Sequence, residues 1–294
     1  LNVADQSAGI RVNDPNNPGR TYLSGKGMSH PVSLQGHCAE LLSSVRAESN
    51  DQVRRMCEKL NTHLESIEAG FSIDFNIVEK ELTRGLIRER HLAKALRLAV
   101  EENVKYDKEA FYMRLFGGKQ LKAGLDDSSS LENEIRGNLL KSGGIAFVPE
   151  SPSAFLPMHD VIDIIKSAGG IPTYPFLADD AHGDFTDFES DLQKCADILK
   201  RRGIRSAEFI TTRNTTETLE KYATYLVDEG FIVTFGSEHN TPALEPVLLR
   251  TRDNAGLSDK LREINYRGAC MVAAHQSGFD SIDKGDDIIT KATI

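Results

Sequence analysis

The spacing of hydrophobic positions changes part-way along the chain. Between residues 36 and 115 they recur at intervals of three and four, with Leu41, Val45, Val53, Met56, Leu60 and Leu64 on one helical face. That spacing predicts helices over Cys38–Val45, Asp51–Ile67, Ile77–Leu82, His91–Val100 and Glu109–Leu115. Residues 117–143 contain Asp126-Asp-Ser-Ser-Ser130, are bracketed by the Gly pairs 117–118 and 143–144, and predict a loop with a short helix inside it. Residues 1–35 are rich in Gly, Pro, Asn and Ser. Their turn-forming run Asn13-Asp-Pro-Asn-Asn-Pro-Gly19 precedes a short strand at Thr21–Leu23.

From Gly144 onward, short apolar runs alternate with helical segments. Strands are predicted at Ile145–Val148, Gly169–Pro175, Ser206–Thr211 and Phe231–Phe235, and helices at Met158–Ser167, Phe188–Arg201 and Glu217–Glu229. Strands separated by helices of this length imply parallel pairing. Residues 256–280 predict a closing helix and a further strand at Gly268–Ala274. No internal repeat is visible.

Composition narrows the class. With 294 residues, 39% hydrophobic and 27% charged, the chain can bury one large α/β core or two smaller ones. Its net charge of −9 argues against extended binding to nucleic acid or to an anionic membrane. It leaves room for a small anionic substrate in a local basic pocket, and a homo-oligomer is compatible with it. Four scattered cysteines without a CxxC pair suggest reduced thiols and a cytoplasmic protein. No run approaches the roughly 20 apolar residues of a membrane helix.

Candidate chemistry centres on Phe231-Ile-Val-Thr-Phe-Gly-Ser-Glu-His-Asn-Thr-Pro242, where an apolar strand runs straight into polar residues. The carboxyl ends of parallel strands are where α/β folds carry their sites. Glu238 and His239 are therefore candidate metal ligands and catalytic groups, or alternatively a helix cap and a packed loop residue. Asn240 is a candidate for substrate binding, or a turn former. Asp179, Asp180 and His182 follow an earlier strand and are compatible with a metal site, although such loops are commonly just solvated. Arg213 and Asn214, at the exit of the Ser206 strand, could contact an anion. Glu208 reads either as a carboxylate supporting the site or as a partner of Arg213. Arg88, Arg90 and His91 open a helix, where amides and cations can hold a phosphate, or form a charged helix face. Lys26 lies in Ser24-Gly-Lys-Gly27, which lacks the pattern of a P-loop. His30 is a weak candidate ligand. His37, His63, His159 and His275 read as surface or packing residues.

Several of these segments, in order, resemble the polymerase-and-histidinol-phosphatase (PHP) family of metal-dependent phosphoesterases. Glu89-Arg-His-Leu-Ala-Lys-Ala-Leu96 is similar to the family's Arg-Pro-His-Ile-Ala-Arg-Ala-Leu helix start. Ala110–Gly117, Phe147-Val-Pro149, Val161–Thr173, Gly203–Glu208 and Gly236-Ser-Glu-His239 match later elements. The resemblance implies a distorted (β/α) barrel of PHP type, built from 1–35 and 144–294, with 36–143 as a helical insertion closing over one side. It implies a bound divalent metal ion (Mn, Zn, Fe or Mg) that activates water against a phosphate ester, nucleotide-like or another small phosphorylated compound.

The departures matter as much. The family's opening His-x-His is absent, with Leu1 beginning beyond it. Arg11 stands at a metal position, Phe176 at a histidine, and Glu89 at a phosphate-facing arginine. These departures keep two other readings open. One is an inert relative that binds a small anion or a partner; the other is a different metal-dependent hydrolase or lyase.

Overall fold

The structure, a computed structural model, describes residues 2–4, 9–179, 182–237 and 247–278. In chain order its elements are β1 (Asn2–Ala4), β2 (Arg20–Tyr22), β3 (Ser24–Lys26), α1 (Gly36–Ser66), α2 (Phe75–Leu82), α3 (Glu89–Asn103), α4 (Lys108–Leu115) and α5 (Ser128–Ile135). There follow β4 (Leu156–Pro157), α6 (Met158–Ser167), β5 (Ile171–Phe176), α7 (Leu192–Arg201), β6 (Ser206–Ile210), α8 (Thr216–Asp228), β7 (Ile232–Gly236) and α9 (Asp259–Gln276). The described residues form two compact units. One holds the described residues 2–4, 9–41, 155–179, 182–237 and 247–278, the other residues 42–154.

The first unit is α/β. Its main sheet runs β3-β5-β6-β7, with β5, β6 and β7 parallel and β3 antiparallel on β5. A second sheet runs β2-β1-β4. Among the described residues both sheets are open, and no closed barrel is formed. Register aligns Phe176, Phe209 and Phe235 on one face. There Phe176 stacks on Phe209 at 5.2 Å and Phe235 meets Phe209 edge-on at 6.1 Å. The opposite face carries the polar residues Thr173, Ser206, Glu208 and Thr234 beside Ile171 and Ile232. Thr173 Oγ1 donates to Ser206 Oγ at 3.0 Å there.

The helix starts follow local chemistry. Asp191, Thr215 and Ser258 each accept an amide of the first turn of α7, α8 and α9. The strand expected at Gly268–Ala274 is instead part of α9, which runs unbroken from Asp259 to Gln276. Gly268 explains the continuation. A Cβ there would lie 1.9 Å from the Val233 carbonyl oxygen, so the glycine lets the helix backbone sit directly against β7. One turn earlier, Asn265 Oδ1 accepts the Phe235 amide at 2.7 Å. An edge strand that would otherwise present bare backbone is thereby covered.

The second unit is helical. Cys38–Val45 and Asp51–Ile67, expected as two helices, are one 31-residue helix. Val53, Met56, Leu60 and Leu64 are buried as the spacing implied, whereas Leu41 and Val45 are only half-buried. The polar interval that suggested a break is useful to the fold. Asn50 projects from it to bond Gly85 O at 3.0 Å and accept the Ile87 amide at 3.1 Å.

The strand expected at Ile145–Val148 does not form. Ala146 and Val148 point inward, as alternation predicts, but the segment lies along α1. Side chains there replace a partner strand: Lys59 Nζ donates to Phe147 O and Gln52 Nε2 to Val148 O, both at 2.8 Å. Arg97 is nearly buried and pairs with Glu101 at 2.6 Å and Glu132 at 2.9 Å, tying α3 to α5. No helix of the described residues is long and apolar enough to cross a membrane.

Candidate functional site

The parallel strands β5, β6 and β7 end side by side, and the turns leaving them hold most of the candidate residues. After β5 the chain turns at Ala178, whose φ of +50° is uncommon for a side chain with a Cβ. Asp179 follows, 4% exposed. Its Oδ1 accepts from Asn214 Nδ2 at 3.1 Å, and its Oδ2 from Thr215 Oγ1 at 3.0 Å and Arg252 Nη2 at 2.8 Å. Asn214 is fully buried after β6 and also reaches Leu177 O at 2.6 Å. Arg252 Nη1 donates to the carbonyls of Asp179 and Arg213, each at 2.9 Å. Asp179 and Asn214, predicted separately, are thus one locked network joining the exits of β5 and β6. With an arginine and two further donors on it, the Asp179 carboxylate has little lone-pair capacity left for a metal ion.

The other candidates fall as follows. His182 is exposed in the turn beyond Asp179, and Arg213 is half-buried beside Asn214. Glu208 does not pair with Arg213. It accepts from Ser24 Oγ at 2.7 Å and Lys26 Nζ at 2.6 Å across the face of the sheet that carries Thr173 and Ser206. Glu238, His239, Asn240 and Asp180 lie outside the described residues. Among the described residues no group of three or more His, Cys, Asp or Glu side chains converges as a metal site would require.

Arg11 and Phe176, read above as departures from the resemblance, do other work. Arg11 pairs with Asp187 at 3.1 Å, which holds that exposed carboxyl below its ordinary range. Phe176 is buried in an aromatic cluster with Tyr174, Phe209 and Tyr222. Neither supplies a metal ligand. The described residues therefore do not by themselves fit a multinuclear metal centre.

In the helical unit, His91 is a cap. Its Nδ1 accepts the Arg88 amide at 2.9 Å, closing the first turn of α3. Burial, and then the charge of Arg90, hold the imidazole below its ordinary pKa. Glu89 is bonded to Arg136 at 2.7 Å. Burial raises that carboxyl, but the bond and charge of Arg136 outweigh it and leave the pKa lowered. Of the histidines expected to pack, His63 bonds Leu115 O at 2.8 Å and His275 bonds Gly169 O at 2.9 Å.

Sequence reading missed Glu189 and Arg252. Glu189 is fully buried and accepts from Tyr174 Oη, Leu177 N and Ala178 N. It sits among Asp184, Asp187 and Asp191, and no local pattern marks which acid of that run turns inward. Arg252 lies 73 positions from Asp179, beyond the reach of any motif. A separate cleft of about 430 Å³ opens between α8, α9 and β7, lined by Phe231, Ile264 and Met271.

No protein-family model matches the chain, and no curated protein does. Among solved structures, the chain is similar to a Bifidobacterium adolescentis protein provisionally named a metal-dependent phosphoesterase. The two share 18% identity over 85% of this chain and 72% of that one, with a TM-score of 0.47.

Proposed function

We propose that this chain is a hydrolase acting on a phosphate ester, with its site at the carboxyl ends of β5, β6 and β7. The observation that carries the reading is the Asp179–Asn214–Arg252 network. It fixes the exits of β5 and β6 beside the strand that runs into Ser237-Glu238-His239. A divalent metal ion, when bound, would supply water activated near neutral pH. Glu238 and His239 are the residues proposed to hold it, with Asp180 and His182 as further donors. Arg213 would neutralise the phosphate, and Asn240 would orient the ester by hydrogen bonding. The PHP-type barrel belongs to this same reading, as does a role for Arg88 and Arg90 as phosphate-binding cations.

A second reading is favoured by Arg11 and Phe176. Their commitment to an ion pair and an aromatic stack suits a relative that binds a small anion without turning it over.

Metal analysis of the purified chain by mass spectrometry, followed by turnover on a panel of phosphate esters with added Mn²⁺, separates the two. The hydrolase reading expects bound metal and turnover, both lost in Glu238→Ala and His239→Ala. Neither metal nor turnover in the unaltered chain would leave only the binding reading.

A further inference from the structure

One buried carboxylate ties the turn at the end of β5 to the turn before α7. Glu189 Oε1 accepts from Tyr174 Oη at 2.8 Å, and Oε2 accepts from the amides of Leu177 at 3.1 Å and Ala178 at 2.7 Å. Its backbone is anchored as well. The carbonyl accepts from Tyr222 Oη at 2.8 Å, and the amide donates to Thr186 Oγ1 at 3.3 Å. All three donors to the carboxylate are neutral. Among the described residues, the titratable side chains around it are Tyr174 from β5, Cys195 from α7 and Tyr222 from α8, and none of these three is cationic at neutral pH. The charges of Arg202 and Asp191 act on the Cys195 thiol, and that of Asp179 acts on Tyr222.

A carboxylate in this position gains three hydrogen bonds but loses its hydration without a counter-ion. A neutral carboxyl loses much less, and the same geometry serves it. Oε2 goes on accepting both amides, while the proton on Oε1 is donated to Tyr174 Oη. We propose that Glu189 is a positioning residue whose proton strengthens the hold on the Leu177–Asp179 turn, and with it the placement of Asp179.

Linkage sets the sign. Burial pushes the Glu189 carboxyl up to about 7, against the opposing bonds from Tyr174, Ala178 and Leu177. In solvent the same group titrates at about 4.3. A proton bound more tightly in the tied turn makes the tie strongest at low pH. The tie weakens as pH rises between those two values and is constant above the higher one.

The test is amide hydrogen exchange at Leu177 and Ala178 in the full chain, corrected for intrinsic rates, from pH 5 to 8. Protection is expected to fall more than tenfold between pH 5 and 7 and then level off. Glu189→Gln, which mimics the neutral carboxyl, should hold protection flat across the range. A flat profile in the unaltered chain, or the same step in Glu189→Gln, would overturn the proposal. Carbon-13 titration of the Glu189 carboxyl gives a second readout. Tyr174→Phe removes a bond that favours ionisation and should move the midpoint upward; no movement, or a midpoint near 4 in the unaltered chain, would also overturn it. None of these readouts depends on the hydrolase reading, since none measures turnover.

Discussion

Asn214 shows how much one side chain carries at the end of β6. Its amide bonds Leu177 O, Asp179 O and Asp179 Oδ1, with no exposed surface. Asn214→Ala would leave buried acceptors without donors, and a loss of about 2–4 kcal/mol is expected in urea denaturation. His91 makes a pH-dependent prediction. Its folded pKa is depressed by burial and by Arg90, and its Nδ1 must be unprotonated to accept the Arg88 amide. The stability it contributes is therefore present above the unfolded value of about 6.5 and is lost as pH falls below it. In denaturation from pH 7.5 down to 5, the contribution of His91 should decline in the unaltered chain, against the opposite change from Glu189. The decline should be smaller in His91→Gln, because glutamine at this third helical position can still accept that amide. Residue types were legible in the sequence at both sites. What each one touches was not, because Asn214 and Arg252 lie 35 and 73 positions along the chain from Asp179.

Elements were legible where a clear hydrophobic period was set off by Gly or Pro. Met158–Ser167 was bounded to the residue, and β5, β6, β7 and α8 to within two. The failures share a cause. Short apolar stretches such as Ile145–Val148 and Gly268–Ala274 fit either a strand or another packed conformation, and only a neighbour decides between them. For Ile145–Val148 the neighbour is α1, whose Gln52 and Lys59 meet the carbonyls. For Gly268–Ala274 it is β7. Gly268→Ala tests that contact. Alanine is the better helix former by about 1 kcal/mol, yet its Cβ would meet the Val233 carbonyl. The substitution should destabilise by about 1–3 kcal/mol, read as a lowered denaturation midpoint; a stabilised variant would mean that α9 does not lie against β7.

At the scale of the molecule, the surplus of acidic groups predicts behaviour that needs no coordinates. Solubility should pass through a minimum near pH 5.5, the isoelectric point, as light scattering across pH would detect, because self-repulsion vanishes there. The sequence by itself determined the α/β alternation and the helical stretch before it. These are written in local spacing and in the short-range preferences of turn and cap residues. Only the tertiary structure decided that Asp179 is held by Arg252 rather than left open, that Glu208 answers Lys26, and that Phe176 belongs to an aromatic stack. It also chose Glu189, from a run of acids, as the one buried without a counter-ion. The physical reason is common to all four. Burial and pairing depend on which distant strands and turns arrive beside a side chain, and that information is not local to any stretch of sequence.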